Sequence, residues 1–396
     1  MIADKVMKLG ESETLAMAKK ANELKAKGID IINLTLGEPD FFTPDFVKAE
    51  AKKSIDANYS FYTPVAGYLD LRETIAQKLK TENALNFKAQ QIVVSTGAKQ
   101  SIANVLIALL NPGDEVILPA PFWVSYKEII EFAGGVAKII DGPIHQEYKI
   151  TPQQLKSAIG KRTKAFIFSN PSNPTGSVYN KSELSELAVI LSQHPMITIS
   201  DEIYEYICFT DDTCSIGTFP GMQDKTVIVN GVSKAYAMTG WRLGYLAAPL
   251  EIAQACEKIQ GQFTSGASSI SQRAALAAIS AGKNHPSVIE MKSAFLKRRN
   301  CLYDALKKIP GIQLPLPEGA FYLFPDMSEY LGKSFNGVSI KTTRDLAGYL
   351  LEEAHVGLTA GMAFGAPNCL RFSYALKESK LLEAAHRIKV ALEKLQ

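Results

Sequence analysis

Short apolar runs, each followed by a turn of small or polar residues and then by a helical pattern, recur through the first two thirds of the chain. The runs lie at residues 92–94, 116–118, 165–168, 196–200 and 227–229. Continuous apolar runs of this length are typical of parallel strands that helices bury on both faces. The sequence therefore predicts an α/β fold around a mostly parallel sheet, in which ligands bind at the carboxyl ends of the strands.

Residues that could carry chemistry follow these strands. Because the carboxyl ends of parallel strands meet at one edge of a sheet, such residues are expected to converge. Unrelated surface residues need not fall at the same edge, so the recurrence favours a functional site. The candidates are Gly97, Trp123, Asn173, Asp201, Tyr204, Lys234 and Arg242.

Lys234 lies in a turn between two apolar runs, which suggests an ammonium group in a partly desolvated place. Burial lowers the pKa of a lysine and makes its amine nucleophilic. Arg242 keeps its charge and suits a phosphate or a carboxylate. Taken alone, a solvated lysine and an arginine stacked on Trp241 are the commoner arrangements. Residues 92–100 predict a strand, a turn and a helix start, where backbone N–H groups could hold a phosphate.

The balance of charges argues against several classes of function. The 43 basic and 40 acidic residues give a formal net charge of +3 and are spread along the chain without a basic block. Nucleic acid and membrane surfaces are therefore poor candidates as partners. No apolar run reaches the roughly 20 residues of a membrane-spanning helix, and residues 1–10 lack the apolar core of a signal peptide. We expect a cytoplasmic protein.

The five cysteines and five histidines are dispersed along the chain. Their spacing matches no zinc or redox motif, so we expect no metal site. An odd, scattered set of cysteines fits a reducing compartment.

The last third of the chain predicts a second, smaller domain. A helical stretch at about 249–279 and a long helix at 286–306 precede elements near 319–324, 343–354 and 370–374. An N-terminal helix at 12–28 is expected to pack on this domain. We therefore expect an N-terminal segment at 1–45, a large domain at 46–285 and a small domain at 286–396.

An ordered set of motifs runs along nearly the whole chain. It consists of Gly37-x-Pro39-Asp40, Tyr62, Gly97, Trp123, Asn173-Pro174-Thr175-Gly176, Asp201-Glu202-x-Tyr204, Ser233-Lys234, Gly240-Trp241-Arg242 and Arg371. This order resembles the class I aminotransferases of pyridoxal-phosphate fold type I, and most of all the bacterial aspartate aminotransferases. The resemblance implies a three-layer large domain with a mostly parallel seven-stranded sheet, and a smaller α+β domain.

The resemblance implies pyridoxal 5′-phosphate as the cofactor. Lys234 would form the resting Schiff base and move the substrate proton, and Asp201 would keep the pyridine nitrogen protonated. Asn173 and Tyr204 would donate to the ring's phenolic oxygen, while Trp123 would stack on the ring. Simpler roles compete: a helix cap for Asp201, a turn for Asn173, and core packing for the two aromatic residues. The catalytic candidates are Lys234, Asp201 and Tyr204.

A phosphate site and a substrate site are also implied. The chain departs from the family pattern at Gly231, where a hydroxyl residue is common, so either Ser233 substitutes for it or the phosphate has one contact fewer. The implied phosphate contacts are Gly97, Ala98, Lys99, Ser233 and Arg242, with Tyr62 reaching over from the second subunit of a homodimer that shares its active sites. Arg371 would grip the substrate's α-carboxylate as a bidentate fork. The residues expected beside it are Gly37, Trp123 and Asn173.

The implied activity is a ping-pong transfer of an amino group from an amino acid, L-aspartate, to a 2-oxo acid, 2-oxoglutarate. A dicarboxylate needs a cation or donors near its side chain, because an unpaired buried carboxylate is costly. The candidates are Ser12, Thr14, Lys99 and a partner-subunit group at 262–268.

Three other functions remain open on the same framework. They are an aromatic or kynurenine aminotransferase, a carbon–sulfur β-lyase that uses the same carbanion, and a regulatory protein that binds the cofactor without catalysis. The last is disfavoured because Lys234, Asp201 and Arg371 are all present.

Overall fold

The computed structural model describes residues 2–7, 9–10 and 13–396. In this part of the chain the strands are β1 (Ile32–Asn33), β2 (Ile92–Ser95), β3 (Glu115–Ala120), β4 (Val136–Asp141), β5 (Thr163–Ser169), β6 (Ile197–Asp201), β7 (Thr226–Gly231), β8 (Gly244–Ala247), β9 (Tyr322–Leu323), β10 (Ser334–Phe335), β11 (Val338–Ser339), β12 (Val356–Gly357), β13 (Thr359–Ala360) and β14 (Leu370–Ser373). The α-helices are α1 (Asp4–Met7), α2 (Glu13–Ala26), α3 (Asp45–Asp56), α4 (Leu69–Asn83), α5 (Ala98–Leu109), α6 (Ser125–Phe132), α7 (Pro152–Ala158), α8 (Lys181–Ser192), α9 (Leu250–Phe263), α10 (Ser269–Ala281), α11 (Pro286–Leu306), α12 (Thr343–Glu353) and α13 (Glu378–Leu392).

Within the described residues, seven strands form one central sheet in the order β2-β8-β7-β6-β5-β3-β4. Neighbouring strands are parallel except β8, which is antiparallel to both β2 and β7. The predicted α/β class with a mostly parallel seven-stranded sheet is therefore confirmed.

Helices cover both faces of this sheet, which produces three layers. In β3, Val116 and Leu118 pack with residues of α5, α6 and α9. Ile117, between them, packs with Leu155 of α7 and Leu187 of α8. Successive side chains of a strand point to opposite faces, so the two clusters lie on opposite sides of the sheet. Burial on both faces explains why the strand reads as a continuous apolar run.

The antiparallel strand β8 corrects one expectation. The sequence pattern places Arg242 after a strand, but in the structure it precedes β8. Since β8 runs against its neighbours, its amino end lies where the parallel strands end, and Arg242 still reaches that edge. A Cβ on Gly244 would lie only 2.3 Å from the backbone nitrogen of Ala98. Glycine at this position therefore allows β8 to approach the start of α5.

The predicted helical stretch at 249–279 is divided into two helices. α9 ends at Phe263 and α10 begins at Ser269, with the Ser268 side chain accepting from the Ser271 N–H at 3.4 Å. Between them, Gly266 lies against the loop before α4, where an added Cβ would be 2.0 Å from the Thr63 hydroxyl. This tertiary contact has no signature in helical periodicity.

The C-terminal elements form a second core. β9, β14 and β13 make an antiparallel sheet, and β1 pairs in parallel with β12. Phe295 and Leu302 of α11 and Ile388 of α13 are buried in this core. Ala21 of α2 packs with Leu351 of α12. The division into 1–45, 46–285 and 286–396 stays a prediction.

No helix among the described residues is long and apolar enough to cross a membrane. The same part of the chain has no group of three His, Cys, Asp or Glu side chains placed to hold a metal ion. All five cysteines are free.

Candidate active site

A cavity of about 490 Å³ opens at the carboxyl edge of the central sheet. The segments after β1, β3, β5, β6 and β7, the start of α5 and strands β9 and β14 contribute to its walls. The predicted site residues that line it are Gly37, Ala98, Lys99, Trp123, Asn173, Asp201, Tyr204, Ser233, Lys234, Arg242 and Arg371. The cavity therefore brings residues of the second core to the edge of the sheet.

Lys234 lies in the turn after β7. Its Nζ donates a hydrogen bond to the carbonyl oxygen of Gly37 and lies 5.8 Å from the ring centroids of Tyr204 and Phe321. Burial lowers the pKa of Lys234 to about 8, although the negative charge of Glu38 opposes this shift. A larger fraction of this amine is therefore neutral near pH 7 than in a solvated lysine, as a nucleophile requires.

Asp201 is the last residue of β6 and is buried. Its Oδ2 accepts a hydrogen bond from the Tyr126 hydroxyl at 2.7 Å, and its Oδ1 accepts from the Ile203 N–H at 3.2 Å. Burial raises the pKa of Asp201 to about 6, while these hydrogen bonds and Lys234 pull it down. No α-helix of the described chain starts at Asp201, so its side chain is not a helix cap. The carboxylate is available to a positive group in the cavity.

Arg371 of β14 is a buried cation with neutral partners, only 2% exposed. One terminal nitrogen donates to Asn173 Oδ1 at 3.1 Å and the other to the Thr35 carbonyl oxygen at 2.6 Å. Its Nε is buried without a hydrogen-bond partner in the described part of the chain. Burial also lowers the pKa of the guanidinium. A desolvated cation of this kind favours an anion in the cavity.

The start of α5 and Arg242 form another part of the cavity wall. Gly97 precedes α5 with a φ of 87°, and a Cβ there would lie 2.6 Å from a terminal nitrogen of Arg242. Glycine therefore allows the guanidinium to lie against the helix start, where backbone N–H groups favour anions. A side chain at Gly231 would meet Gly244 Cα at 2.8 Å, so no hydroxyl fits there. Ser233, which lines the cavity, is the nearby hydroxyl group.

Lys99 and Trp123 lie together on the cavity wall. The Lys99 Nζ is 4.9 Å from the centroid of the Trp123 ring. Burial and the nearby positive charge of Arg242 lower the pKa of Lys99. Lys99 thus adds a further basic group to the cavity wall, near Arg242.

Tyr62 does not reach the cavity of its own chain. It is 96% exposed and is absent from the lining of the cavity. The structure therefore separates it from the other predicted site residues. Ser12 lies outside the described residues, and so does the side chain of Thr14.

Polar residues that the sequence analysis missed also line the cavity. Tyr126 donates to Asp201, and the hydroxyl of Tyr322 lies 2.9 Å from that of Tyr204. The Thr239 hydroxyl donates to the Glu38 carboxylate at 2.9 Å. Tyr126 is in the first turn of the helix after β3. A search for polar residues that follow the predicted strands could therefore have found it. Tyr322 lies within the apolar run 320–324, where a tyrosine is interpreted as a core residue.

Comparisons with known proteins identify the family. Residues 29–388 match the family described as aminotransferase class I and II. The chain belongs to this family of aminotransferases. The resemblance stated from the sequence motifs is thus confirmed, and so is a transaminase as the class of enzyme.

The aminotransferase has relatives of matching length. It is 44% identical over 391 residues to the aspartate/prephenate aminotransferase of Cereibacter sphaeroides, covering 98% of this chain and 97% of the relative. The crystal structure of the aspartate aminotransferase of Rhizobium meliloti has a TM-score of 0.96 and 38% identity, with 100% of both chains covered. The aspartate aminotransferase of Thermus thermophilus with maleate has a TM-score of 0.93 and 36% identity, over 99% of each chain. The similarity spans both cores of the aminotransferase.

The lowered pKa of Lys234 is measurable in the cofactor-free aminotransferase. We expect its reaction with an amine-modifying reagent to rise with pH around a midpoint near 8, because burial disfavours the protonated amine. Peptide mass spectrometry across about pH 6 to 11 would follow each lysine separately. Lys53, whose side chain is 77% exposed, is the reference. Identical midpoints for the two lysines would contradict the desolvated environment.

Proposed function

We propose that this aminotransferase moves the amino group of L-aspartate to 2-oxoglutarate in two half-reactions, with pyridoxal 5′-phosphate as cofactor. The observation that carries the proposal is that the buried guanidinium of Arg371 and the desolvated amine of Lys234 line one cavity. The guanidinium suits a carboxylate, and the amine suits a carbonyl carbon. An amino acid and a 2-oxo acid together present these two groups.

The cavity residues fit the proposed cofactor. Lys234 is the amine for its aldehyde, and the start of α5 with Arg242 and Ser233 suits its phosphate. Asp201 is a buried carboxylate for its ring nitrogen, and Trp123 offers an aromatic face. When bound, the cofactor supplies a carbonyl for the amino group and a ring that takes up the electron pair left at the substrate Cα.

Asp201 holds a proton on the cofactor's ring nitrogen in this proposal. With a pKa of about 6, the carboxylate is mostly ionised at pH 7 before the cofactor binds. A positive ring nitrogen would favour that ionised form further. The Tyr126 hydroxyl, at 2.7 Å, fixes the orientation of the carboxylate.

Lys234 carries the substrate proton in the same proposal. Once the incoming amino group frees its amine, Lys234 takes the proton from the substrate Cα as a general base. Asn173 and Tyr204 donate to the cofactor's phenolic oxygen. The Asn173 amide is oriented for this role because its oxygen already accepts from Arg371.

Arg371 binds the substrate's α-carboxylate, with Gly37 and Asn173 beside it. Its unpartnered Nε and its neutral partners leave the positive charge available to a ligand. A Cβ at Gly37 would lie 3.0 Å from the Tyr322 hydroxyl, so glycine keeps the backbone close to this end of the cavity.

Lys99 binds the second carboxylate of the substrate. It is a desolvated cation on the cavity wall, and Trp123 beside it bounds the space for a short side chain. The names of the relatives support a dicarboxylate, because aspartate, prephenate and maleate all carry two carboxylates. Ser12, Thr14 and a partner group at 262–268 stay alternatives.

The active form is a homodimer that shares its sites. Tyr62 does not line its own cavity and is 96% exposed, and Phe42, Phe61 and Phe263 are further large apolar side chains on the surface of the chain. Such side chains favour burial against a second copy. In the dimer, Tyr62 contacts the cofactor phosphate of the other subunit.

The domain division and the location stay proposals as well. The large domain at 46–285 holds the central sheet, and the small domain at 286–396 holds Arg371. A cytoplasmic location is supported by the five cysteines, which are all free.

The central test is an absorbance titration of the purified protein with added pyridoxal 5′-phosphate. Aspartate should abolish the near-visible band of the bound cofactor, and 2-oxoglutarate should restore it. Lys234→Ala should lower turnover by at least about a hundredfold, because it removes the general base. Exposed Lys53→Ala is the matched control.

Each other outcome of this titration decides against part of the proposal. Conversion by phenylalanine but not by aspartate would reject the substrate assignment. Pyruvate release from cystathionine would indicate a β-lyase. Absence of a cofactor band would reject the cofactor itself.

Lys99→Met keeps the length of the side chain but removes its charge. We expect kcat/KM for aspartate to fall by about 10- to 100-fold, the cost of a charge-assisted hydrogen bond, with a change below about threefold for phenylalanine. Lys127→Met, on the surface of α6, is the control. Equal losses for both substrates would assign Lys99 to the cofactor instead.

Tyr62→Phe should weaken cofactor affinity by about 2- to 10-fold through the loss of one hydrogen bond. The decisive sample is a mixed dimer of Tyr62→Phe and Lys234→Ala chains, studied by equilibrium dialysis. If Tyr62 serves the other subunit, one site of each dimer has both native groups and regains full affinity. If Tyr62 serves its own chain, every site of the mixed dimer lacks one of the two native groups, and no site regains full affinity for the cofactor.

A further inference from the structure

Tyr322 of β9 contacts several groups of the proposed site. Its hydroxyl oxygen lies 2.9 Å from that of Tyr204. The guanidinium carbon of Arg371 lies 4.6 Å from the centroid of its ring. Tyr322 is fully buried at 0% exposure and lines the cavity. It therefore joins the arginine assigned to the substrate with the tyrosine assigned to the cofactor.

The protons of the two hydroxyl groups can be counted. A tyrosine hydroxyl has one proton to donate, and the two oxygens share one hydrogen bond. If Tyr204 donates to the cofactor's phenolic oxygen, its proton is committed to the cavity. Tyr322 must then be the donor in the bond between the tyrosines.

We propose that Tyr322 is a positioning residue that fixes Tyr204 as a hydrogen-bond donor toward the cofactor. This inference rests on the proposed function. Because Tyr204 accepts from Tyr322, it donates more strongly, as in any chain of hydrogen bonds that polarise one another. The contact with Arg371 holds the ring of Tyr322 in place, so its hydroxyl stays directed at Tyr204.

The sign of the effect follows from charge. Negative charge on the phenolic oxygen stabilises a proton on the Lys234 nitrogen that joins the cofactor. A strong donor disperses this negative charge and lowers the pKa of that nitrogen. Loss of the Tyr322 hydroxyl weakens the donor and should raise that pKa.

Tyr322→Phe tests the proposal, because it removes the hydroxyl and keeps the ring against Arg371. The pH midpoint of the near-visible absorbance of the cofactor-loaded enzyme should rise by roughly half a unit. The KM for aspartate should stay within about twofold of the wild-type value. Tyr374→Phe is the matched control, since Tyr374 is a buried tyrosine of the same core whose hydroxyl donates to the Ala320 carbonyl oxygen at 3.1 Å. It should leave the midpoint unchanged.

A second background separates positioning from general structural damage. In Tyr204→Phe, the further change Tyr322→Phe should add no shift, because the residue through which it acts is gone. An additive shift in this background, or no shift in the native one, would overturn the proposal. If the wild-type enzyme binds no cofactor, the proposed function fails instead.

A ring-fluorinated tyrosine at position 322 covers the case in which Tyr322→Phe does not fold. It has nearly the shape of tyrosine and a more acidic hydroxyl, so it is a better donor. The midpoint should then fall below the wild-type value. An unchanged or raised midpoint would contradict the role of Tyr322 as the donor.

Discussion

Desolvation of charge around one cavity is the constraint on which the rest of this site depends. Burial lowers the pKa of Lys234 to about 8 and raises that of Asp201 to about 6. Arg371 is buried with neutral partners. Each of these arrangements opposes folding, because a charge loses its water without gaining a full counter-charge. The apolar cores around the sheet offset that cost, and the result is a set of groups that a suitable ligand would stabilise.

The parallel sheet gathers these groups in one place. Asp201 ends β6, and Lys234 follows β7, the next strand in the sheet. The antiparallel β8 adds Arg242 from its amino end, beside the start of α5. Glycine at 97 and 244 makes that approach possible, because side chains there would meet Arg242 and Ala98. Backbone packing at these two glycines thus allows the Arg242 guanidinium to lie against the start of α5.

The sequence pattern predicts much of this arrangement. It does not predict features that depend on contacts between distant residues. Apolar runs buried on two faces predict the sheet, and its edge predicts that residues such as Asp201 and Lys234 meet. Arg371 has no comparable signal, because one cation in a short strand is also a common surface pattern, and only the family resemblance selected it. Tyr322 was missed because a tyrosine within an apolar run is interpreted as core. The break before α10 depends on contact with a distant loop, which local periodicity does not encode.

The site is held by contacts between distant parts of the chain. Thr35 and Arg371 are 336 positions apart, Asn173 and Arg371 are 198 apart, and Gly37 and Lys234 are 197 apart. During synthesis, Asp201 at the end of β6 and Lys234 after β7 leave the ribosome well before β14. A nascent chain therefore contains Lys234 before it contains Arg371. Only the arrival of β14, late in translation, joins the first and last parts of the polypeptide around the finished cavity.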